Sequence, residues 1–450
     1  MTLDPNQAAG AQDAAQTAER GRQVRKAALA STVGTTIEWY DYFLYGTAAA
    51  LVFPEVFFPS SSHYVGTLES FATYFVGFAA RPIGAAIFGH WGDRIGRKAT
   101  LIITLVLMGL STTLIGFLPG AATWGVAAPL VLVLLRVVQG IAVGGEWSGS
   151  VLLSMEWGDQ RRRGLMGSWP QLGVASGLIL GTGFLTLVST GTSETAFVSW
   201  GWRIPFLCSL VLVAVGLYIR LQILETPMFA KLVEEKAVQK APVLEVIKRH
   251  PKEIVLSALL RMSEQMPFYV VTAFVLAYLT DDQHGYSNDF VLVGTLVAAA
   301  IEFVLLPFFG HLSDVVGRKR VYMTGAAIMG VWGFVYFAML DSGVGWVVFL
   351  ALALGLVPHA MQYGPQGALI AESFPTSLRY GGAGLGYQLA SVVAGGPAAL
   401  IATFLIHQFG TGYAVAAYIA VAAVITLAAC AAITDYSRSD ITDDATYART

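Results

Sequence analysis

The sequence of 450 residues is 55% hydrophobic and only 12% charged, whereas ordinary soluble domains are about 25% charged. The formal net charge of −2, with basic residues scattered over separate loops, excludes a nucleic-acid-binding surface. A bilayer core takes about 20 apolar residues per spanning helix, and the chain supplies such stretches repeatedly. The composition therefore predicts a polytopic membrane protein.

The first 26 residues of the chain are polar, and the last of them form a basic cluster. The long apolar segment that follows carries acids, so a cleavable signal peptide is not expected. Cys208 and Cys430 lie inside apolar segments without metal-ligand spacing, and we expect no disulfide, no metal site and no cofactor. An enzyme is disfavoured because the sequence has no nucleophile elbow, phosphate loop or metal-binding cluster.

Twelve apolar stretches predict twelve transmembrane helices, which we call spans one to twelve. They cover residues 28–53, 68–90, 100–119, 127–153, 165–189, 202–222, 253–279, 290–310, 321–340, 345–369, 381–406 and 412–434. Alternate loops carry nearly all of the lysines and arginines of the loops, and basic loops stay on the cytoplasmic side. The pattern predicts cytoplasmic amino and carboxyl termini in a bacterial cytoplasmic (inner) membrane.

An internal repeat divides the chain. GHWGDRIGRK at 89–98 recurs as GHLSDVVGRK at 310–319, and Glu156 to Arg163 matches Glu372 to Arg379 in its spacing. Parallel six-helix repeats with a substrate site between them are a known plan of transporters. The predicted parts are a cytoplasmic segment 1–27, a six-helix bundle 28–222, a cytoplasmic linker 223–252, a second six-helix bundle 253–434 and a cytoplasmic tail 435–450.

The repeated loop, together with RVVQG at 136–140, resembles the signature of the major facilitator superfamily. Within it, the chain is similar to the metabolite:proton symporter family, and its second half to the shikimate-transporter branch. The segments that carry this similarity are EWYDYFLYG at 38–46, ARPIGAAIFGHWGDRIGRK at 80–98, GGEWSG at 144–149, WGWRIPFL at 200–207, ETPMF at 225–229, VTAFVLAYLT at 271–280 and RYGGAGLGYQLASVVAGG at 379–396.

The resemblance implies an all-α major facilitator fold of two pseudo-symmetric six-helix bundles. It implies a symporter that imports a small organic acid, such as shikimate or a related hydroxy- or dicarboxylic acid, together with protons by alternating access. The expected partners are the organic acid, protons and the lipid bilayer, and not nucleic acid. We expect a monomer.

The charges inside the spans are few, and each costs about 2.5 to 3.5 kcal/mol at the centre of a helix. A rise of about 1.5 Å per residue places Asp41 about 18 Å and Arg136 about 14 Å from the outer surface. The two could pair and switch on protonation, as the resemblance to sugar:proton symporters also implies. The alternative is a permanent structural bridge. Glu38, Glu146 and Arg81 lie deeper and predict a second polar cluster, with Glu38 and Glu146 as further proton-coupling candidates.

Arg261 and Glu264 are three residues apart on one face of span seven. They either pair locally or leave Arg261 free to bind a substrate carboxylate with its planar fork. Glu302 stands nearly alone in span eight. The other candidates for substrate contacts, with ordinary packing as the alternative, are Arg81, His359, Gln362, Tyr363, Tyr387, Gln388 and Trp169.

The repeated loops predict a cytoplasmic gate that latches the two halves. Asp93 and Asp314 fall near helix beginnings, where the helix dipole favours an acid, and the loop arginines can reach Glu156 and Glu372. The alternative is that these arginines only set the topology. The residues assigned to the gate are Gly89, Asp93, Arg97, Glu156, Arg163, Asp314, Arg318, Glu372 and Arg379.

Three other functions compete with organic-acid symport. A proline or betaine symporter belongs to the same family, but such members can carry a carboxyl-terminal heptad extension, and DYSRSDITDDATYART after span twelve has no heptad. A drug:proton antiporter is less favoured because GSWPQLGVASGLILG stands where the glycine-proline pattern of span five is expected. A sensor that binds solute without moving it is the third.

Overall fold

A computed structural model of the chain describes residues 5–61, 63–222, 224–234, 242–280, 284–442 and 444–447. The predicted linker therefore lies partly outside the described residues, at 223 and 235–241, as do 1–4 of the amino-terminal segment and 443 and 448–450 of the tail. In the part of the chain that the structure describes, every regular element is a helix. The predicted all-α class is confirmed.

The first half is a bundle in which span one continues a long amino-terminal helix without interruption. Span five is broken near Pro170, since proline removes a backbone donor and clashes with the preceding turn. The helices are Pro5–Leu51, Phe53–Phe57, His63–Ile95, Arg97–Phe117, Ala121–Trp124, Ala127–Trp157, Arg163–Ser168, Leu172–Gly191, Glu194–Ala196 and Arg203–Leu221, with a π-helical turn at Phe197–Gly201.

The second half is built the same way but has more interruptions. Spans seven and eleven each contain a π-helical turn, Val270–Phe274 and Ser391–Gly395, which often marks a functional position in a helix. The other helices, with those of the linker first, are Pro227–Glu234, Pro242–Arg249, Pro251–Leu260, Met262–Tyr269, Val275–Leu279, Asn288–Val316, Arg318–Leu340, Gly345–Leu354, Val357–Ala371, Arg379–Ala390, Ala398–Phe409 and Gly412–Ala432; Asp444–Tyr447 is a 3-10 turn.

Among the described residues, nine helical segments are long and apolar enough to cross a membrane. They correspond to the predicted spans three to six and eight to twelve. Spans one and two correspond to the helices Pro5–Leu51 and His63–Ile95, and span seven to the interrupted segment 251–279. These three segments carry most of the intramembrane charges. The count of twelve and the side of the termini stay predictions.

The two copies of the repeated loop adopt the same backbone conformation. Gly96 has φ 110° and Gly317 has φ 104°, a region that residues with a side chain rarely enter. Each glycine joins one helix to the next, and a carboxylate lies at the start of the following helix. Glu225 accepts hydrogen bonds from the backbone of Arg97 at 3.2 Å, and Asp435 accepts one from Lys319 at 3.5 Å. The sequence repeat is therefore also a structural one.

The two halves pack closely against each other at the centre of the molecule. The rings of Trp147 and Tyr387, one from each half, are stacked with centroids 3.6 Å apart. The indole nitrogen of Trp147 donates to Gln171, whose amide donates to the carbonyl of Tyr363 in the second half. The interface between the halves is closed at this depth.

Candidate functional site

The first group of buried charges surrounds a small cavity in the first half. The cavity measures about 10 Å³, room for about one water molecule. Each of its polar side chains is at most 4% exposed. Its polar lining is Glu38, Asp41, Tyr42, Arg81, Arg136 and Gln139.

Asp41 and Arg136 do not form the predicted direct pair. Asp41 accepts hydrogen bonds from Thr112 at 2.7 Å and from Ser209 at 2.8 Å. Arg136 donates to Gln139 at 2.9 Å, and Gln139 donates to Thr112. Spans three and four therefore place a hydroxyl and an amide between the acid and the base, and the two are connected through a relay of three hydrogen bonds.

The guanidinium of Arg136 is held mainly by aromatic rings. It lies 3.9 Å from the ring centroid of Tyr45 and 5.3 Å from that of Tyr74. A cation over an aromatic face is stabilised by the negative charge of the π system, more so when water is excluded. This contact explains how a buried arginine is tolerated without a carboxylate in direct contact.

The predicted cluster of Glu38, Arg81 and Glu146 is only partly formed. Glu146 pairs instead with Arg220, and it also accepts from Thr104 at 2.8 Å. Sequence reasoning missed Arg220 in the last turn of span six, although an arginine in an apolar span is a signal for a buried acidic partner. Glu38 and Arg81 do share the first cavity.

Arg81 is likewise held by aromatic rings, and Glu38 keeps a free oxygen. The guanidinium of Arg81 lies 4.6 Å from the ring centroid of Phe78 and 4.9 Å from that of Tyr42. Among the described residues, no hydrogen-bond partner reaches Oε2 of Glu38, although Glu38 is only 3% exposed. The first cavity therefore contains an acid whose hydrogen bonding is incomplete.

A second cavity of about 10 Å³ lies against the second half. Five of the predicted substrate residues meet at it, together with Trp39 of span one. Sequence reasoning missed Gln265, Phe268 and Tyr269, because an amide or an aromatic ring in a membrane helix resembles an ordinary packing residue. Its lining is Trp39, Val174, Arg261, Glu264, Gln265, Phe268, Tyr269, His359, Tyr363 and Tyr387.

Arg261 is paired and stacked at this second cavity. Its Nε donates to Glu264 at 3.0 Å and to Gln366 at 3.2 Å. Its guanidinium carbon lies 3.3 Å from the ring centroid of Tyr387, and another of its nitrogens donates to the carbonyl of Tyr387. Both alternatives left open by the sequence are thus partly present, since Arg261 pairs locally and also lines the cavity.

Four predicted substrate residues do not reach the second cavity. Gln362 exchanges hydrogen bonds with Ser263 of span seven. Gln388 accepts from Ser391 of its own span at 3.1 Å and donates to the carbonyl of Val143 in span four at 3.5 Å. Trp169 lies at the break of span five, where its carbonyl accepts from Thr32 at 2.8 Å. Arg81 lines the first cavity instead. In this arrangement the amide groups of Gln362 and Gln388 are used in helix packing, and neither they nor Trp169 line the second cavity.

Aromatic side chains separate the two cavities. Tyr42 lines the first and Tyr269 the second, with ring centroids 6.2 Å apart. Tyr269 also lies edge-on to Phe78 at 5.6 Å, and Trp39 to Phe268 at 6.0 Å. In this arrangement the two cavities are therefore separate.

Ion pairs join the two halves at the predicted cytoplasmic end. Arg163 of the first half donates to Glu372 of the second half at 2.7 Å. Glu372 also binds Arg318 at 2.9 Å, and Arg318 binds Asp314 at 2.9 Å. Each of these side chains is at most 4% exposed. Four of the gate residues predicted from the sequence therefore form one buried network, and it joins the two halves in this structure.

Asp93 and Asp314 lie at helix ends and not, as predicted, near the beginnings of their own helices. Each one instead meets the first turn of a helix in the other half. Asp93 accepts from the backbone nitrogens of Tyr380 at 3.2 Å and Gly381 at 2.9 Å. Asp314 accepts from those of Gly164 at 2.8 Å and Leu165 at 2.9 Å. The favourable interaction of an acid with a helix amino terminus therefore acts between the halves.

The remaining gate residues complete the network around Glu156. Arg97 lies 3.8 Å and Arg379 4.0 Å from its carboxylate. Arg97 also lies 3.5 Å from Asp93 and donates to the carbonyl of Thr376 in the second half at 3.1 Å. The gate thus contains cross-half contacts on both copies of the repeated motif.

The carboxyl-terminal tail packs on the gate, which sequence reasoning missed. Arg163 donates to the carbonyls of Tyr436 at 3.0 Å and Ser439 at 3.2 Å, and Arg379 donates to that of Ile441 at 2.8 Å. The hydroxyl of Tyr447 donates to the carbonyl of Glu372 at 3.1 Å. Burial raises the pKa of Tyr447, so its hydroxyl stays a neutral donor.

Gly89 allows the closest approach of the halves at the gate. A methyl group added at this position would lie 2.7 Å from the Cα of Gly381, closer than real side chains come to a backbone. We predict that Gly89→Val disfavours closure and lowers transport about fivefold to a hundredfold, since overpacking costs about 1 to 3 kcal/mol. Gly183→Val is the control, because nothing lies within 4 Å of a methyl group at Gly183. Equal transport by both variants would contradict the prediction.

Two family models match the chain. One, described as sugar (and other) transporter, matches residues 26–255. The other, described as major facilitator superfamily, matches residues 255–445. The chain is also similar in structure to the proton:xylose symporter XylE bound to 6-bromo-6-deoxy-D-glucose. That likeness has a TM-score of 0.78 at 18% identity and covers 95% of this chain and 99% of the other.

Three curated relatives cover most of the chain. The shikimate transporter of Escherichia coli (strain K12) is 42% identical over 93% of this chain and 96% of its own length. The inner membrane metabolite transport protein YhjE of the same organism is 41% identical over 90% and 92%. The proline/betaine transporter of that organism is 33% identical over 90% and 82%.

Proposed function

The chain belongs to the major facilitator superfamily of transporters, and we propose that it is a proton symporter that imports a small organic acid such as shikimate. The relatives confirm the predictions of a transporter in the bacterial inner membrane and not an enzyme. The similarity to the metabolite:proton symporter family, with its shikimate-transporter branch, is confirmed as well. The substrate and the driving ion are the proposed parts.

The observation that carries the proposal is Arg261 at the second cavity. Its guanidinium is buried between the halves, stacked on Tyr387 and bound to Glu264. A planar guanidinium binds a carboxylate through two parallel hydrogen bonds, which suits an organic acid. Tyr363 and Tyr387, whose hydroxyls lie 3.2 Å apart, would offer donors and acceptors to the hydroxyl groups of the substrate.

The closed cytoplasmic gate supports alternating access. In this arrangement the ion pairs around Glu372 and the helix-terminal contacts of Asp93 and Asp314 hold the halves together on one side. Release of solute to the cytoplasm requires these contacts to break. Substrate and proton binding between the halves would then favour the opposite arrangement, because a ligand shifts the equilibrium toward the state that it binds better.

The proposed transporter also has a proposed membrane topology and oligomeric state. We propose twelve spans, cytoplasmic termini, a boundary between halves in the linker 223–252, and a monomer as the transporting unit. Each half contributes charged residues to one of the two cavities, and the two halves of one chain together supply the predicted gate. A monomer therefore contains all the parts that the transport cycle needs.

Arg261→Ala tests the substrate class. We expect the variant to bind shikimate about tenfold to a hundredfold more weakly, since a hydrogen bond to a charged group contributes about 1.5 to 3 kcal/mol. Binding of the methyl ester of shikimate, which has no charge, should change much less. Isothermal titration of the purified protein with both compounds measures the difference.

Arg203→Ala is the matched control for this experiment. Arg203 is also a cation over an aromatic ring, 4.3 Å from the centroid of Trp202, but it lies far from both cavities in the first turn of span six. The Arg203→Ala variant should bind shikimate and its methyl ester as the unchanged protein does. Equal losses for the acid and the ester in Arg261→Ala would argue against a carboxylate contact.

A zwitterionic osmolyte is the second candidate, favoured by one feature of the site. Arg261 and Glu264 present a positive and a negative group side by side at the second cavity, which would match the carboxylate and the cationic nitrogen of proline or betaine. Uptake of labelled shikimate, labelled proline and labelled betaine into proteoliposomes under an imposed pH gradient separates the two. Uptake of only the osmolytes would reject the organic acid, and absence of uptake of all three compounds would favour a sensor.

A further inference from the structure

A histidine in span ten lies between two carboxylates of the second half. Nδ1 of His359 contacts Glu302 Oε1 in span eight, and Nε2 lies 3.2 Å from Glu264 Oε1 in span seven. The three residues are between 1% and 3% exposed. The ring also lies on Phe268, at 4.9 Å between centroids, which shields it from water.

The number of protons in this arrangement follows from the geometry. A neutral imidazole has one N–H group and one lone pair. When each ring nitrogen contacts a carboxylate, one of the two contacts would place a lone pair against a negative oxygen. That arrangement is unfavourable in a buried site. The array therefore requires one more proton, either on the second ring nitrogen or on a carboxyl group.

The charge balance around Arg261 leads to the same result. Arg261 is one positive charge beside Glu264, while Glu302 is a second acid that Arg261 does not contact. Among the described residues, Glu302 forms no ion pair other than that with His359, and its Oε2 has no hydrogen-bond partner. The two acids are balanced only when the array with His359 carries an additional proton.

We infer that Glu302, His359 and Glu264 form a second proton-binding site, and that a proton bound there releases Arg261 to the carboxylate of the substrate. The inference rests on the proposed function and adds a site in the second half to the acids of the first. The two oxygens of Glu264 are divided between the partners: Oε1 faces His359, and Oε2 binds Arg261 at 3.0 Å and Gln366 at 2.9 Å.

The proton and the substrate bind cooperatively at this site. If Arg261 turned to a substrate while the array lacked the proton, Glu264 would lose the one full positive charge that it contacts among the described residues. With the proton present, His359 balances Glu264 and Arg261 can bind the anion. Proton binding therefore raises the affinity for the acid, and by linkage the acid raises the affinity for the proton. This is the coupling that a symporter needs.

Other titratable or charged groups surround the array and set the background of any pH dependence. They belong to spans seven, nine, ten and eleven. These groups are Arg261, Tyr269, Tyr322, Tyr363 and Tyr387. The tyrosines stay neutral around neutral pH in the absence of a strong base, since a free tyrosine titrates at about pH 10. Among all these side chains, histidine is the type that ordinarily exchanges a proton between about pH 5 and about pH 8.

The test measures protons taken up when shikimate binds to the purified protein in nanodiscs. Isothermal titration in buffers of different ionisation enthalpy gives that number from about pH 5 to about pH 8. We expect the unchanged protein to take up protons and to lose affinity as the pH rises. His359→Gln and Glu302→Gln should each reduce the proton uptake and weaken binding about tenfold at acidic pH, a typical size for coupling between two sites.

Two further variants make the outcome decisive. His407→Gln, at an exposed histidine near the end of the helix Ala398–Phe409, should behave as the unchanged protein. Asp41→Asn should still take up protons on binding shikimate, because the second site is intact. The inference is overturned if proton uptake on binding shikimate is unaltered in both His359→Gln and Glu302→Gln. It is also overturned if Asp41→Asn takes up no protons at all. The result with Asp41→Asn does not depend on whether the other two variants fold.

Failure of the inference is distinguishable from failure of the proposed function. If the unchanged protein neither binds nor accumulates shikimate or another organic acid, the proposed function is wrong, and the second site falls with it. If the unchanged protein accumulates the acid under a pH gradient but the variants of the array keep its proton uptake, symport stands and only the second site is rejected.

Discussion

Glu372→Gln is expected to open the cytoplasmic gate and to abolish most transport. Glu372 is the shared acid of Arg163 and Arg318, and its removal leaves Arg163 buried without a carboxylate. Removing one partner of a buried ion pair costs about 3 to 5 kcal/mol. In the open arrangement water would solvate these arginines. The variant therefore destabilises the closed arrangement and leaves the free energy of the open arrangement nearly unchanged. The ratio of closed to open protein should fall about a hundredfold to several thousandfold.

Cysteine labelling at the gate measures this shift. Ala368 is fully buried near Gly167 of the first half, in the interface that must separate when the gate opens. In a protein with Cys208 and Cys430 replaced by serine, Ala368→Cys should react slowly with a membrane-impermeant maleimide in inside-out vesicles. Adding Glu372→Gln should make the reaction much faster.

Glu245→Gln is the control for the gate. Glu245 also pairs with an arginine, Arg249, but that pair lies on the surface, where the arginine side chain is 69% exposed. Such pairs contribute about 0 to 1 kcal/mol. The labelling rate should therefore not change. An equal rate in Glu372→Gln and the unchanged protein would show that the network does not hold the gate closed.

The gate could be predicted from the sequence because its parts recur. The same glycines, aspartates and arginines appear twice at the same spacing, and a Glu–Arg pair recurs seven residues apart. Repetition identifies the residues but not their partners. Asp93 and Asp314 each bind a helix of the other half, and only the three-dimensional arrangement of the halves decides this.

The central site could be predicted less well, for a physical reason. A charge in an apolar span is visible in a sequence, so Asp41, Arg136 and Arg261 were found. The neutral groups that position these charges are not visible. Thr112 and Gln139 resemble any polar residue in a membrane helix, yet they separate Asp41 from Arg136. The aromatic rings that hold Arg136 read as apolar packing.

The depth of two residues along their helices predicts whether they lie near each other better than it predicts whether their side chains touch. Asp41 and Arg136 do line one cavity, as their similar depth predicts. The rotation of each helix and the size of the intervening side chains decide whether two groups at one depth touch. Glu146 lies at a similar depth to Glu38 and Arg81, but its side chain is bound to Arg220 of span six.

Asp41→Asn is expected to abolish proton-driven accumulation while exchange of solute continues. Asparagine resembles the protonated acid. Thr112 and Ser209 bind the two oxygens of Asp41, and asparagine can accept from one of these hydroxyls with its amide oxygen and donate to the other with its amide nitrogen. The loaded carrier should therefore still change between its two arrangements. An empty carrier returns only after the acid has lost its proton to the cytoplasm, and asparagine has no proton to lose. Net import stops at this step, whatever the second half binds.

Two assays in proteoliposomes separate these steps. Under an imposed pH gradient the unchanged protein should concentrate shikimate about tenfold per pH unit for each proton carried, while Asp41→Asn should import almost no shikimate into initially empty vesicles. In counterflow, with shikimate on both sides and no gradient, the variant should exchange at a rate close to that of the unchanged protein. Glu55→Gln, at an exposed acid outside the cavities, is the control for accumulation. Full accumulation by Asp41→Asn would exclude Asp41 as the coupling acid, and Glu38, whose second oxygen lacks a partner among the described residues, would then be the next acid to test.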